Sequence, residues 1–286
     1  MIKTMSALCL AMALLSSAHS LAKNLSPHEI ISSAPEAAWR KVDPEQVLRL
    51  SLATGHVYIE LNPLLAPGHS DNMKKLAREG FYQGLSVYRF VEGFVAQGGD
   101  MSDSKTPKSG KKVIPAEFAK ATAEPLAITP VAGPDGYATH SGFLNGFAVA
   151  QDASRKLTWQ THCTGVFAMA RGNEADSGGT EFYVALTPQR YLDRNITVFG
   201  RVLEGMEHIQ KLDRTAKAGQ AFNVIKDMVV LADVKTQDNS QFRVMNTDSD
   251  SFKQLIQARA HRPEAWFIAR PDYVDVCSVA VPTERL

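Results

Sequence analysis

The chain has 286 residues, 44% hydrophobic and 21% charged, and its 31 Lys and Arg against 30 Asp and Glu leave a net charge of +1. These values lie near globular averages and exclude wholesale disorder, a collagen-like chain and a coiled coil. The charge balance gives no support to a nucleic-acid partner, which calls for a basic excess, and the length admits one large domain with extensions or two small ones.

Residues 1–22 read as a secretory signal peptide. Lys3 supplies the basic start, and residues 5–15 form an uncharged apolar run. That run is too short for a bilayer span, which needs about 20 residues. Ser20 and Ala22 put small residues at −3 and −1, so cleavage is expected before Lys23, with Ala18 and Ser20 offering a second site. The bland alternative is a buried N-terminal helix. Cys9 follows Leu8 and not a small residue, so no lipid anchor is expected. No later segment is apolar for long enough to span a bilayer, so an exported, soluble product without stable membrane insertion is expected. Export leaves Cys163 and Cys277 in oxidising surroundings, where a disulfide or two buried free thiols both fit. His162 beside Cys163 makes a poor nucleophile pair, because catalytic partners are brought together by the fold.

Residues 23–46 are polar, carry Pro27, Pro35 and Pro44, and read as a leader, with order beginning at Val47. Leu48, Leu50 and Leu52 alternate with polar residues, as do Val57, Ile59 and Leu61 after Thr54-Gly55. That is a hairpin with one apolar face on each strand. Ser70 or Asp71 can cap a helix to about Glu79, ended by Gly80. Residues 85–90 and 94–97 read as short strands about Gly93. Residues 101–164 are rich in Pro and Gly and hold no helical period; short strands and packed turns are expected, with residues 113–118 the best candidate for a pinned piece. Strands are expected again at 166–170 and 181–186. The Gly-rich turn between them lacks the Lys-Ser/Thr of a phosphate loop. A strand at 196–202, a short helix at 205–212 and a last core strand at 229–234 follow. The extension 236–286 carries an amphipathic helix near 251–260, capped by Asp248, Ser249 or Asp250, and Trp266-Phe267-Ile268 and residues 274–279 are expected to be buried.

No HExxH, CxxC, GxSxG or Walker pattern occurs, and the histidines do not cluster at ligand spacing. No metal and no cofactor are expected. What remains is Arg89 in an apolar strand context, ahead of Phe94 and Gln97, which alternation could bring to one surface; taken alone, this could also be a surface arginine lying along its neighbours.

Three blocks carry a resemblance. The first is Gly80-Phe81-Tyr82-x-Gly84 running into Tyr88-Arg89-x-x-x-Gly93-Phe94-x-x-Gln97-Gly98-Gly99-Asp100. The second is Gly165-x-Phe167-Ala168-Met169-Ala170, then Ser177-Gly178-Gly179-Thr180-Glu181-Phe182-Tyr183. The third is Tyr191-Leu192-Asp193, then Thr197-Val198-Phe199-Gly200-Arg201-Val202 and Glu204-Gly205-Met206. Residues 47–235, interrupted at about 101–164, resemble the cyclophilins, and more closely an exported bacterial branch with a long central insertion and a C-terminal extension. The resemblance implies a mainly β fold, a closed eight-stranded β-barrel capped by two helices, and peptidyl-prolyl cis-trans isomerase (rotamase) activity on X–Pro-containing polypeptides. It further implies a periplasmic folding role, and we expect a monomer.

The resemblance assigns Arg89 as the donor to the prolyl nitrogen. It gives the proline pocket to Phe94, Val95, Tyr183 and Leu192, with Tyr191 on its rim. Gln97 orients Arg89 or bonds the substrate backbone, and Ala170, Arg171 and Gly172 form the edge along which the peptide lies. The chain departs from the family pattern at Val95 for Met, Arg171 for Asn, Glu181 for Gln, Tyr183 for Phe, Tyr191 for Trp and Ile196 for His. Arg171 and Glu181 are expected to pair, which keeps Glu181 from locking Arg89. The loss of Trp and His bears on cyclosporin binding more than on catalysis. The competing readings are a catalytically weak cyclophilin-fold peptide-binding or chaperone module, and an unrelated secreted hydrolase using Cys163.

Overall fold

A computed structural model describes residues 25–286. The signal-peptide reading lies outside the described residues. The main body is an eight-stranded antiparallel sheet. Its strands in chain order are β1 (Val47–Leu52), β2 (Gly55–Leu61), β3 (Ser86–Val91), β4 (Val95–Gly99), β5 (Val166–Met169), β6 (Phe182–Ala185), β7 (Val198–Glu204) and β8 (Asp227–Val230). Their spatial order is β8-β1-β2-β7-β5-β6-β4-β3. The sheet is curled rather than zipped into a closed ring. Its edge strands β8 and β3 form no ladder with each other. An isolated bridge between Ser86 and Val224, and backbone bonds joining Gly84, Leu85 and Val87 to Ile225 and Asn223, cross the gap instead. The expected closed barrel is therefore corrected to a curled sheet with a stitched seam. A register shift between Ser86 and Arg89 interrupts the regular pairing of β3 with β4.

Strand alternation sorts side chains onto two faces. Leu48, Leu50, Ile59, Phe167, Phe182, Val184 and Phe199 fill the concave core together with Met73, Leu76 and Ala77 of helix Pro67–Arg78. That helix begins at Pro67, earlier than the capping pattern suggested, because proline's fixed φ suits the first helical turn. The outer face is buried as well. Val95, Val166, Ala168, Tyr183, Ala185 and Val198 pack with Phe143 and Cys163 of the insertion and with Phe252, Leu255 and Val276 of the extension.

Residues 25–46 are ordered, not a loose leader. Helix Pro27–Ser32 carries a Ser26–Glu29 capping box, strand Trp39–Lys41 pairs with Phe242–Met245, and Ile30 and Ala38 are buried. The insertion holds a five-stranded sheet whose central hairpin, His140–Leu144 and Phe147–Asp152, turns at Asn145-Gly146 with both φ positive. The 113–118 piece is pinned by a Val113–Gly179 bridge.

In the extension, helix Asp250–His261 is capped by Ser249. Cys277 is bonded to Cys163 with S–S 2.03 Å. The outer side of the first hairpin, read from sequence as its polar side, is covered too. Phe242 and Val244 lie over Val47 and Tyr58, and buried Glu60 is matched by Arg40 and Arg201.

Two other expectations are corrected. Only Asp227–Val230 is strand; residues 231–234 turn into a 3-10 helix with Leu231 buried. Trp266 is 74% exposed and Ile268 fully so, because Trp266 stacks on Phe267 at 3.9 Å and finds no cover from the body. Val274, Val276 and Val279 are buried.

Candidate active site

Antiparallel register builds the site on the outer face. Arg89 pairs with Gln97, Gln97 with Tyr183, Tyr183 with Ala168 and Ala168 with Val198, a single row across five strands. Cross-strand neighbours share a face, so residues far apart in the chain line one strip. Arg89 is exposed at the free edge. Its Nη1 donates to Gln97 Oε1 at 3.1 Å, and its guanidinium lies 5.7 Å from the Phe94 ring centroid. Hydrogen bond and ring together hold a long, permanently charged side chain in place.

The other end of Gln97 is equally committed. Its Nε2 donates to Tyr88 Oη and, at 3.2 Å, to Glu181 Oε2; Tyr88 in turn donates to Glu181. Burial, reinforced by the Glu181 carboxylate, pushes the Tyr88 phenol up. Tyr88 precedes Arg89 and by strict alternation should face the opposite side. The register shift between Ser86 and Arg89 brings both to one surface. Nothing in the residue pattern of the strand marks that shift, so sequence reasoning gave Tyr88 no role.

The expected Arg171–Glu181 pair does not form. Arg171 donates to the carbonyls of Asn195, Gly172 and Asn173 at 3.0, 2.8 and 3.1 Å and lies over Phe118. The loop's unpaired carbonyls take the guanidinium, while Glu181 turns to Tyr88. Glu181 meets Arg89 only through Gln97. Arg171 and Glu181 nonetheless flank one groove of about 270 Å³, lined also by Gln97, Ala170, Gly172 and Thr180. Gly99 lets its strand approach this wall: with φ 130°, an added Cβ would sit 2.8 Å from Thr180 O.

The apolar part lies beside this groove. Val95 and Tyr183 are buried, and Phe94, Ala170 and Ile196 pack against the same cluster half-buried. Leu192, half-buried, and Tyr191, 57% exposed, stand on the short helix Arg190–Leu192. Beneath the floor runs a polar chain that sequence reasoning missed. Tyr183 Oη is 2.9 Å from His162 Nε2, His162 Nδ1 is 3.1 Å from Asp193 Oδ1, and Arg190 Nε donates to Asp193 Oδ2 at 2.7 Å. Burial raises the Tyr183 phenol, helped by Tyr191 and Asp193. Burial also pushes Asp193 upward, but the His162 and Arg190 contacts outweigh it and hold the carboxyl below its ordinary range. Cys163 is tied up in its disulfide and offers no thiol nucleophile, which removes the hydrolase reading.

The model of the family "Cyclophilin type peptidyl-prolyl cis-trans isomerase/CLD" matches residues 47–247. A probable peptidyl-prolyl cis-trans isomerase of Brucella suis is 27% identical over 193 residues, covering 68% of this chain and 84% of its own. Peptidyl-prolyl cis-trans isomerase B of Bacillus subtilis is 30% identical over 156 residues, covering 54% and 82%. Among solved structures, cyclophilin AquaCyp293 from Hirschia baltica superposes with TM-score 0.71 at 29% identity, covering 86% of this chain and 93% of its own.

Proposed function

The chain belongs to the cyclophilin-type peptidyl-prolyl cis-trans isomerase family and is a peptidyl-prolyl isomerase; from that premise we propose that Arg89 is its catalytic donor and that Phe94, Val95, Tyr183 and Leu192 hold the prolyl ring. An X–Pro amide resists rotation because resonance gives its C–N bond double-bond character, a barrier of about 18–20 kcal/mol. The reaction breaks no bond, so no nucleophile is needed. An apolar pocket that grips the ring lets the remaining part rotate. A donor beside the prolyl nitrogen favours the pyramidal, unconjugated form over the planar ground state, which is preferential transition-state binding.

The observation that carries this reading is Arg89 held by Gln97 over Phe94 at the head of the row that runs to Tyr183 and Ala168. Gln97 orients Arg89 rather than bonding substrate, since both ends of its amide are engaged within the protein. The groove of Ala170, Arg171, Gly172 and Glu181 takes the polypeptide on the other side of the proline.

The test is prolyl cis-trans exchange in an X–Pro tetrapeptide. The wild type should accelerate it, and Arg89→Ala should lose about 100-fold while remaining folded. An unaffected Arg89→Ala would remove Arg89 from the mechanism. A wild type that binds the peptide without accelerating exchange would favour the peptide-binding module.

We also propose that the enzyme assists folding of exported proteins in the periplasm, where X–Pro steps of tens of seconds limit folding. The signal-like residues 1–22 and the Cys163–Cys277 bridge support this. A protein recovered from the cytoplasm with residues 1–22 still attached would refute it.

A further inference from the structure

We propose that His162, backed by Asp193, is a positioning residue for prolyl isomerisation and acts through Tyr183 on the floor of the proline pocket; this rests on the reading of that pocket given above. Tyr183 occupies the row between Gln97 and Ala168 and packs with Val95 and Ile196, yet it carries a hydroxyl. A hydroxyl facing a prolyl ring would have to be desolvated by every substrate, at a cost in affinity. Here it is turned beneath the floor, 2.9 Å from Nε2 of a histidine with no exposed surface.

The direction of that bond is fixed from behind. Asp193 Oδ1 lies 3.1 Å from His162 Nδ1, and a carboxylate only accepts, so Nδ1 carries a ring proton, and in the singly protonated ring Nε2 accepts from Tyr183. Asp193 is firmly held. It also accepts from the His162 backbone N–H at 2.9 Å, from Arg190 Nε at 2.7 Å and from Trp159 Nε1 at 3.2 Å. Arg190 reaches Asp135 at 3.0 Å. Asp135, Trp159 and His162 all belong to the insertion, which thus enters the site from below. The same Asp193 fixes the short helix that carries Tyr191 and Leu192. The chain can place a tyrosine on an apolar floor because the insertion supplies a buried acceptor for its hydroxyl.

Two substitutions separate the two ends of the imidazole. His162→Gln keeps an acceptor near Nε2, and His162→Asn keeps a donor near Nδ1. In the full chain, His162→Asn should lose about tenfold in kcat/KM, carried by KM, while His162→Gln stays within about twofold. In a Tyr183→Phe background the two should become equal, since no hydroxyl remains to be held. A loss that persists in that background, that falls on kcat, or that strikes His162→Gln and spares His162→Asn would overturn the inference. A second measurement needs no variant: the ring ¹⁵N spectrum of wild-type His162 should show Nδ1 protonated and Nε2 bare at neutral pH. A protonated Nε2 would overturn it, because the ring would then donate to the tyrosine oxygen. A wild type without isomerase activity would sink the functional reading and this inference together, whereas an active wild type with indifferent His162 variants would sink this inference alone.

Discussion

The two faces of the eight-stranded sheet are buried by different means. The concave face is filled by residues of the strands themselves and of helix Pro67–Arg78, with Phe167, Phe182 and Phe199 at its centre. The outer face is covered by pieces remote in sequence: helix Pro27–Ser32, the insertion hairpin, helix Asp250–His261 and residues 274–279. A disulfide ties residues 274–279, through Cys277, to Cys163 at the end of the insertion. The row from Arg89 to Ala168 that we propose as catalytic lies on the outer face, so the core that stabilises the sheet and the cover that shapes the candidate site are separate layers. One layer can be disturbed while the other is watched.

The concave layer should give the largest effect. Phe182 is buried at 4.9 Å from Phe167 and 5.6 Å from Tyr82, ring centroid to centroid. Phe182→Ala should cost about 3–5 kcal/mol in denaturant unfolding, with both layers lost in one transition. A cost below about 1 kcal/mol would show that the layer does not depend on its aromatic centre.

Removing the staple tests the outer layer. Cys163→Ala with Cys277→Ala opens a closure spanning 114 positions and should cost about 2–4 kcal/mol. Amide exchange should then quicken in helix Asp250–His261 and residues 274–279 and stay slow in the β1–β2 hairpin. Uniform quickening would merge the two layers into one cooperative unit.

The smallest effect should come from the tie between them. Glu117 of the insertion accepts from the N–H groups of Gly68 and His69 at the start of helix Pro67–Arg78, and its carboxylate meets the His69 ring at 2.7 Å. Burial pushes this carboxyl upward, but the His69 side chain and the two backbone donors outweigh it and hold it below its ordinary value. A depressed folded value means the charged form stabilises the fold. That contribution is full above the unfolded value of about 4.3 and disappears as pH falls through the folded one. Glu117→Gln should therefore cost about 1 kcal/mol at neutral pH, by loss of a capping acceptor, and progressively less in acid. An equal deficit at all pH values would locate the effect in packing.

The sheet was largely legible because its signals are local. Leu48, Leu50, Val57 and Ile59 alternate, Gly93 turns, and the Arg89–Phe94–Gln97 spacing places three side chains on one surface. The Asn145-Gly146 turn of the insertion was equally local but lay inside a Pro- and Gly-rich stretch whose composition hid it. Residues 25–46 looked like a linker because their few apolar side chains, Ile30 and Ala38 among them, make sense only once helix Asp250–His261 stands opposite. Trp266 went wrong in the other direction, since hydrophobicity does not name a partner.

By itself, then, the sequence determined most strands of the main sheet and one apolar face of each, because period-two alternation and turn chemistry act between neighbours in the chain, while the resemblance of its motifs singled out Arg89, Phe94 and Gln97. Tertiary structure alone decided the rest. A shift of register brought Tyr88 beside Gln97, free carbonyls drew Arg171 away from Glu181, and the insertion carried His162 under Tyr183. Each of these joins groups that the chain leaves apart or points elsewhere. Hydrogen bonds of that kind are chosen by which donor and acceptor the completed fold leaves unmatched.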